Sequence, residues 1–224
     1  MTDSSSLVAN ELLNALCHPE EASAGCHDST FDDALANAKA KATADNDESE
    51  AFLLWCAQTI CSIQRGFIAA FNSLKAEAYY EAWCQFERCE VEILSLERHY
   101  PRTEEDPHRT AYVDRMIRRW QSLYPHKVFF SPELLKKRVE CSICGARVSP
   151  RSDCGHEKSK IYRGEMCYHK VTEVEVLGIS LVQNPVQRYS VAFPSRSEGG
   201  KSVDHYNYGN VNFVVGPANP PRPA

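Results

Sequence analysis

The sequence CSICGARVSPRSDCGH, residues 141–156, decides how the second half of this chain can fold. Cys141 and Cys144 are separated by two residues, and ten positions after Cys144 come Cys154 and His156. Each pair has a glycine beside it, which lets the backbone curve tightly around a bound ion. Two such pairs supply a tetrahedral Cys₃His ligand set, so the spacing predicts a zinc site in a small β-rich, zinc-ribbon-like module.

The ligand set has an alternative member, because Cys167 and His169 repeat the Cys-x-His spacing further along the chain. Cys167 is the substitute for His156 as fourth ligand, or else a group that contacts the ligands, and His169 is expected to be a surface or strand residue. Ligation rich in thiolates favours Zn²⁺ over calcium or magnesium. Four protein ligands leave no position for a water molecule, so we expect a structural rather than a catalytic metal.

Length and composition indicate an ordinary globular protein. The chain has 224 residues, of which 43% are hydrophobic and 25% charged, enough for a buried core in one large or two small domains. No apolar stretch approaches the roughly 18 residues that span a bilayer, and the first residues do not resemble a secretory signal. We therefore expect a cytoplasmic protein without a membrane partner.

The ten cysteines fit a reducing compartment better than a disulfide framework. Cys56, Cys61, Cys84 and Cys89 lie in a stretch with helical periodicity, and their spacing is not typical of metal ligands. We interpret these four as small buried hydrophobic residues, which is a common role for the cysteine thiol.

Helical periodicity dominates residues 48–99, where apolar residues recur mostly every three to five positions. Asp47 and Ser49 are candidate N-caps, and a break is expected near Gly66 or Asn72 because fifty residues is long for one helix. A second helix is predicted over 109–123. Ser131, followed by proline and glutamate, predicts a short third helix over 131–138.

Alternating residues after position 170 predict strands over 171–182 and 186–193, then a loop over 194–202 and a terminal hairpin over 205–215. The expected fold class is α+β, with a helical region followed by a zinc-stabilised β-rich module. The predicted organisation is a polar, partly disordered segment at 1–47, a helical domain at 48–138, the zinc module at 139–215 and a proline-rich disordered tail at 216–224.

A resemblance can be stated for residues 123–193. The segment CGHEKSKIYRGEMC (154–167), followed by VLGISLVQNPVQRYSV (176–191), resembles uncharacterised bacterial zinc-binding proteins and, more distantly, the C-terminal part of phage prohead-protease-like proteins. Two features depart from these patterns: Ser159 stands where a glycine is expected, and the region that holds the proteases' catalytic His and Ser is predicted to be helical here. Ser180 has no evident His or Asp partner, so the resemblance implies a shared fold fragment and no protease activity.

The distribution of charge along the sequence helps to weigh three classes of function. Residues 108–170 contain 14 Lys and Arg but 6 Asp and Glu, whereas the whole chain has a net charge of −5. An interaction protein with a protein partner is the favoured class, and it requires no catalytic residues. A nucleic-acid-binding protein is the first alternative, with Trp120 and Tyr162 available to stack on bases. Its basic residues would be Arg115, Arg118, Arg119, Lys136, Lys137, Arg138, Arg147, Arg151, Lys158, Lys160 and Arg163.

The second alternative is a metal-dependent hydrolase. Glu157, Glu165 and His169 lie near the predicted metal in the sequence, and an open zinc ion could activate water. The apparently complete ligand set argues against this alternative, so we expect that the protein is not an enzyme.

Overall fold

The computed structural model describes residues 5–16, 29–124, 126–152, 154–192, 195–198 and 201–204. Within these residues, five helices come first and antiparallel strands follow, which confirms the α+β class. The helices are α1 (Ser5–Ala15), α2 (Ser29–Ala44), α3 (Glu48–Lys75), α4 (Tyr79–Glu97) and α5 (Thr110–Gln121). The strands are β1 (Phe129–Cys141), β2 (Ile161–Tyr162), β3 (Glu165–Met166), β4 (His169–Val182), β5 (Ser195–Glu198) and β6 (Lys201–Asp204).

Helices α3 and α4 pack as an antiparallel pair at the centre of the helical half. The predicted cap at Asp47 is confirmed, since its carboxylate accepts the Glu50 N–H at 2.9 Å. The predicted break lies later than expected, at residues 76–78, where Glu77 has a φ of 59°. Gly66 lies inside α3 and does not interrupt it. Because glycine has no side chain, Cys89 of α4 can pack closely against this position.

The cysteines of α3 and α4 are buried in the helical core, as predicted. Burial raises the pKa of Cys56 and of Cys89 to about 12, so both thiols stay protonated at neutral pH. The core around them consists mainly of aliphatic and aromatic side chains. Its fully buried large members are Phe86, Leu16, Leu54, Ile60, Ile63, Ile93 and Ile117.

The N-terminal helices are docked more firmly than their composition indicates. Helices α1 and α2, together with Leu16 directly after α1, bury six apolar side chains in the core that they share with α3: Ala9, Leu13, Leu16, Phe31, Leu35 and Ala42. Buried Glu50 accepts the Ala9 N–H at 3.0 Å, and Gln64 donates to the Leu16 carbonyl at 3.0 Å. The small alanine side chains of α2 allow this close contact between helices. Cys17 and Cys26 lie outside the described residues.

Strands β1 and β4 form a long two-stranded antiparallel ribbon, with Phe129 opposite Val182 at one end and Cys141 opposite His169 at the other. The strand predicted over 171–182 is confirmed, whereas the helix predicted over 131–138 is wrong. Pro132 lies inside β1, where an edge strand tolerates a missing N–H. The pairing register of the ribbon shifts at three places along β1.

The chain after β4 also differs from the prediction. The described part of 186–193 forms turns rather than a strand, because the Arg188 carbonyl accepts the Trp83 indole N–H at 2.8 Å and the Tyr189 carbonyl accepts the Tyr80 hydroxyl. Val191 alone forms a bridge, to Phe129. The loop predicted over 194–202 contains β5 and the start of β6. The predicted hairpin over 205–215 and the tail over 216–224 lie outside the described residues, and the proposed domain boundaries stay a prediction.

The ribbon is anchored to the helices at both ends. At one end, Phe129 is buried and stacks on Trp83, with ring centroids 6.5 Å apart. At the other end, the loops after β1 contact the start of α3. Its middle is exposed on both faces. None of the helices in the described residues combines the length and the hydrophobicity of a membrane-spanning segment.

Close packing at Gly66 can be tested by substitution. A Cβ at this position would lie 2.6 Å from Cys89 Sγ, so Gly66→Ala is expected to lower the free energy of unfolding by about 1–3 kcal/mol. An exposed helical Gly→Ala change would instead stabilise by roughly 0.5–1 kcal/mol. In a Cys89→Ala background, the penalty of Gly66→Ala should disappear or reverse. Urea unfolding of the four proteins in this double-mutant cycle measures the coupling, and additive effects would contradict the packing.

Candidate metal centre

The structure brings together the four residues that the sequence pairs. The ligand atoms of Cys141, Cys144, Cys154 and His156 all lie within 4.8 Å of one another. A tetrahedral ion with Zn–S bonds near 2.3 Å would place neighbouring sulfur ligands about 3.8 Å apart. The cluster therefore has the size and the donor chemistry of a metal site.

The first pair is set by a tight turn at the end of β1. The Gly145 N–H donates to the Cys141 carbonyl at 2.9 Å, and Gly145 has a φ of 71°, which glycine adopts without strain. The N–H groups of Cys144 and Ile143 point at Cys141 Sγ, the latter at 3.4 Å. Hydrogen bonds to the sulfur, first from the Cys144 N–H and then from the Ile143 N–H and the thiols of Cys154 and Cys144, lower the pKa of Cys141 to about 6 against the opposing effect of desolvation. A thiol of this kind is largely thiolate at neutral pH, the form that binds metals.

The second pair depends on another glycine and on an aromatic support. Gly155, between Cys154 and His156, has a φ of 77°. The Tyr162 ring meets the imidazole of His156 edge-on, with centroids 4.7 Å apart, and the Tyr162 hydroxyl accepts the Glu157 N–H at 2.9 Å. The chain from Cys154 to Tyr162 thus holds the imidazole in one orientation.

The surroundings of the His156 imidazole are those expected of a metal ligand. The Nδ1 atom of His156 is buried and has no hydrogen-bond partner among the described residues. A buried polar atom without a partner costs free energy, and binding to a metal is one way of satisfying it. The residues present therefore fit a bound ion.

Cys167 lies beside the cluster, on the side of Cys141. Its Sγ is 3.8 Å from Cys141 Sγ, and the residue is buried. Desolvation by this burial raises the pKa of Cys167 to about 11. His169 is exposed in β4, opposite Cys141. Cys167 is not among the four residues whose ligand atoms are mutually within 4.8 Å, and its role as substitute ligand stays a prediction.

Contacts with the helices hold the candidate metal centre in place, and the sequence alone did not reveal them. The Arg163 N–H donates to the Glu48 carboxylate at 2.8 Å, and Lys39 of α2 forms an ion pair with Glu165 at 2.5 Å. A Cβ on Gly164 would lie 2.8 Å from the Ala51 carbonyl oxygen of α3. The one available signal was the glycine of the Tyr-x-Gly segment, which marks a place of close backbone approach.

An open groove of about 1100 Å³ lies between these elements and the cluster. Cys144 and His156 line it from the metal side, and Lys39, Glu48 and Tyr168 line it elsewhere. Two of the ligand residues are thus reached from a solvent-open space rather than from the protein interior.

The two glutamates named for a hydrolase, Glu157 and Glu165, each form an ion pair. Glu157 forms an ion pair with Lys160 at 2.6 Å, and Glu165 forms the pair with Lys39. His169 is exposed in β4.

The basic residues named for nucleic-acid binding lie on several elements: α5, the middle of β1 and the loops of the metal centre. Four of them have carboxylate partners: Arg118 with Asp114, Lys137 with Glu175, Arg138 with Glu140, and Lys160 with Glu157. The two aromatic rings named for base stacking are half-buried and contact other rings, Trp120 against Phe71 and Tyr162 against His156. These contacts reduce the positive charge and the ring surface available to a nucleic acid.

Phe67 and Phe71 of α3 pack within the helical half. Phe67 lies against Phe86, and Phe71 lies against Trp120. The aromatic stripe of α3 is therefore a packing surface between helices.

Comparisons of this chain with protein-family models, with curated proteins and with solved structures find no match. The resemblance of residues 123–193 to bacterial zinc-binding proteins and to phage prohead-protease-like proteins accordingly stays a prediction.

Docking of the metal centre on α3 can be tested at Gly164. Gly164→Ala combines a left-handed backbone, at a cost of roughly 1–2 kcal/mol, with a clash against the Ala51 carbonyl. Gly155→Ala, compared at equal metal content because Gly155 shapes the second ligand pair, is the control for backbone strain, since it has a similar φ and open space around the Cβ. We expect Gly164→Ala to lower the free energy of unfolding by about 1–3 kcal/mol more than the control, and to speed amide exchange around Ala51. Equal losses in the two variants would contradict the docking.

Proposed function

We propose that Cys141, Cys144, Cys154 and His156 bind one Zn²⁺ ion that is structural, and that the protein is a cytoplasmic interaction protein rather than an enzyme. The observation that carries the proposal is the cluster itself, with three sulfurs and one imidazole within 4.8 Å of one another. Thiolate and imidazole ligands together favour zinc over harder cations, and four of them complete a closed tetrahedral set.

The segment that would bind the metal has almost no hydrophobic core. Among the described residues from 142 to 170, only Gly164 and Cys167 are buried. A loop of this length cannot offset its conformational entropy by apolar burial, so it needs another source of stabilisation. Metal binding contributes such a source, because ligands brought together by folding bind the ion far more tightly than ligands on an unfolded chain.

The structural role follows from ligand number and surroundings. When bound, the ion would supply a fixed tetrahedral link between the turn after Cys141 and the loop that carries Cys154 and His156. The nearby carboxylates of Glu157 and Glu165 each form an ion pair with a lysine. A structural site of this kind keeps the end of the ribbon against α2 and α3.

An interaction role is supported by what the fold exposes. The ribbon displays apolar side chains along β1 and β4, although it is anchored at both ends. Large exposed apolar surfaces on a folded protein mark sites of association. The groove beside the cluster and the ribbon are the two surfaces that the metal centre would hold in position.

Metal analysis of the purified protein tests the proposal. We expect about one zinc per chain, and we expect Cys141→Ser and Cys154→Ser to lose the zinc and much of the stability together. Element analysis by mass spectrometry gives the stoichiometry, and urea unfolding gives the stability.

Two further variants serve as controls for this experiment. Cys84→Ser removes a buried helical thiol outside the cluster and should keep the zinc, whatever it does to stability. Cys167→Ser removes a contact of Cys141 and should keep the stoichiometry while weakening the affinity by about 10- to 100-fold. Protein that is fully folded and free of metal, without any chelator, would refute the structural zinc.

A further inference from the structure

Residues 188–192, here called the clasp, follow β4 and join the ribbon to the helical half. On the ribbon side, the Phe130 N–H donates to the Ser190 carbonyl at 2.7 Å, and the Ala192 N–H donates to the Val128 carbonyl at 2.9 Å. On the other side, the clasp lies against α4 and accepts hydrogen bonds from two of its aromatic side chains. The clasp therefore helps to set the position of the ribbon on α4.

The clasp covers a buried carboxylate of α4. Glu87 is only 6% exposed. Its Oε1 accepts a hydrogen bond from the Gln121 amide of α5 at 2.7 Å and lies 3.7 Å from the Arg188 guanidinium. The Arg188 carbonyl accepts the Trp83 indole N–H at 2.8 Å. One residue of the clasp thus contacts α4 through its backbone and faces Glu87 with its side chain.

The charges around Glu87 do not balance. Glu90, one turn along α4, shares the same guanidinium, which lies 3.5 Å from its carboxylate. From α5, Arg118 lies 3.9 Å from Glu90 but only 3.1 Å from Asp114. The groups that these ion pairs connect in the described residues are four carboxylates and three arginines: Glu87, Glu90, Glu97, Asp114, Arg102, Arg118 and Arg188. Negative charge is therefore in excess by one, and Glu87 has the most buried side chain of the seven.

A proton is the simplest compensation for such a buried charge. Desolvation raises the pKa of Glu87 from 4.5 to about 7, against the attraction of Arg188 and with the help of the Glu90 charge. The Cys84 thiol also faces Glu87, and desolvation raises its pKa, so it adds no charge near pH 7. When the clasp leaves α4, Glu87 returns to water and its pKa falls towards the ordinary value. Docking of the clasp and protonation of Glu87 therefore favour each other.

We propose that the clasp is pH-sensitive: a proton on Glu87 holds residues 188–192 and the attached ribbon end against α4, and loss of this proton loosens them. The docked state is the one with the raised pKa, so the added stability is complete below about pH 4.5 and is lost as the pH rises through about 7. The pH thereby controls how firmly the exposed apolar ribbon is positioned on the helices.

Amide hydrogen exchange of the full-length protein at about pH 6 and pH 8 tests the proposal. The amides of Phe130 and Ala192 report on the clasp, because their hydrogen bonds join it to the ribbon end. We expect their protection factors, which are corrected for the intrinsic pH dependence of exchange, to fall by about 3- to 10-fold between these pH values. Carbon NMR of the Glu87 carboxyl group should give a titration midpoint of about 7.

Three variants separate Glu87 from its neighbours. Glu87→Gln keeps the shape of the protonated side chain without the titration, so its protection factors should agree within about twofold at the two pH values. Glu90→Gln is the matched control: the pH dependence should remain, with a lower Glu87 midpoint, because the Glu90 charge raises the pKa of Glu87. Arg188→Gln should raise the midpoint, because the guanidinium lowers this pKa. Circular dichroism shows whether the helical half is equally folded in all the proteins.

Three results would overturn the proposal. The first is equal protection of Phe130 and Ala192 at both pH values in the wild type. The second is a Glu87 carboxyl midpoint of about 4.5, the ordinary value, which would mean that the clasp does not desolvate this group. The third is a pH dependence that survives in Glu87→Gln, which would assign it to another residue. The first two results come from the wild type and do not depend on the folding of any variant.

Discussion

The convergence of three thiols and one imidazole after β1 is the constraint on which the second half of the fold depends. The chain between Cys141 and His169 buries scarcely any apolar side chains, although the two strands that it connects pair with each other. When Cys154 and His156 lie next to Cys141 and Cys144, this connecting segment is closed into a loop at the end of the ribbon. The loops that this closure shapes are those that contact α2 and α3.

The two ends of the ribbon are fixed by different chemistry. At the end near α4, aromatic packing dominates, with Phe129 stacked on Trp83 and the Trp83 indole N–H donating to the Arg188 carbonyl. Arg188 also lies 3.7 Å from the buried Glu87 carboxylate, whose pKa is raised to about 7 by desolvation despite this cation. At the other end, sulfur and nitrogen donors replace the hydrophobic core. On the proposed metal binding, removal of the ion would therefore affect this end of the ribbon, whereas the helical half has a core of its own.

Sequence reasoning succeeded where the signal is local. Cysteine spacing and adjacent glycines identify the cluster because all of its members lie within sixteen residues, and apolar periodicity identifies α3, α4 and α5. It failed for β1, because Ser131-Pro132-Glu133 is a local helix signal whereas the strand is set by pairing with residues 178–180 of β4, 45 to 49 positions away. It also missed the docking of Gly164 on Ala51. The two residues are more than a hundred positions apart, and the only local sign of their contact in the sequence is the glycine itself.

X-ray absorption at the zinc edge of the purified protein tests the central claim most directly, because it counts the sulfur and nitrogen atoms around the ion. Three sulfurs at about 2.3 Å and one nitrogen at about 2.0–2.1 Å are the predicted shell. Four sulfurs would replace His156 by Cys167, and oxygen ligands or five-fold coordination would contradict a closed structural site.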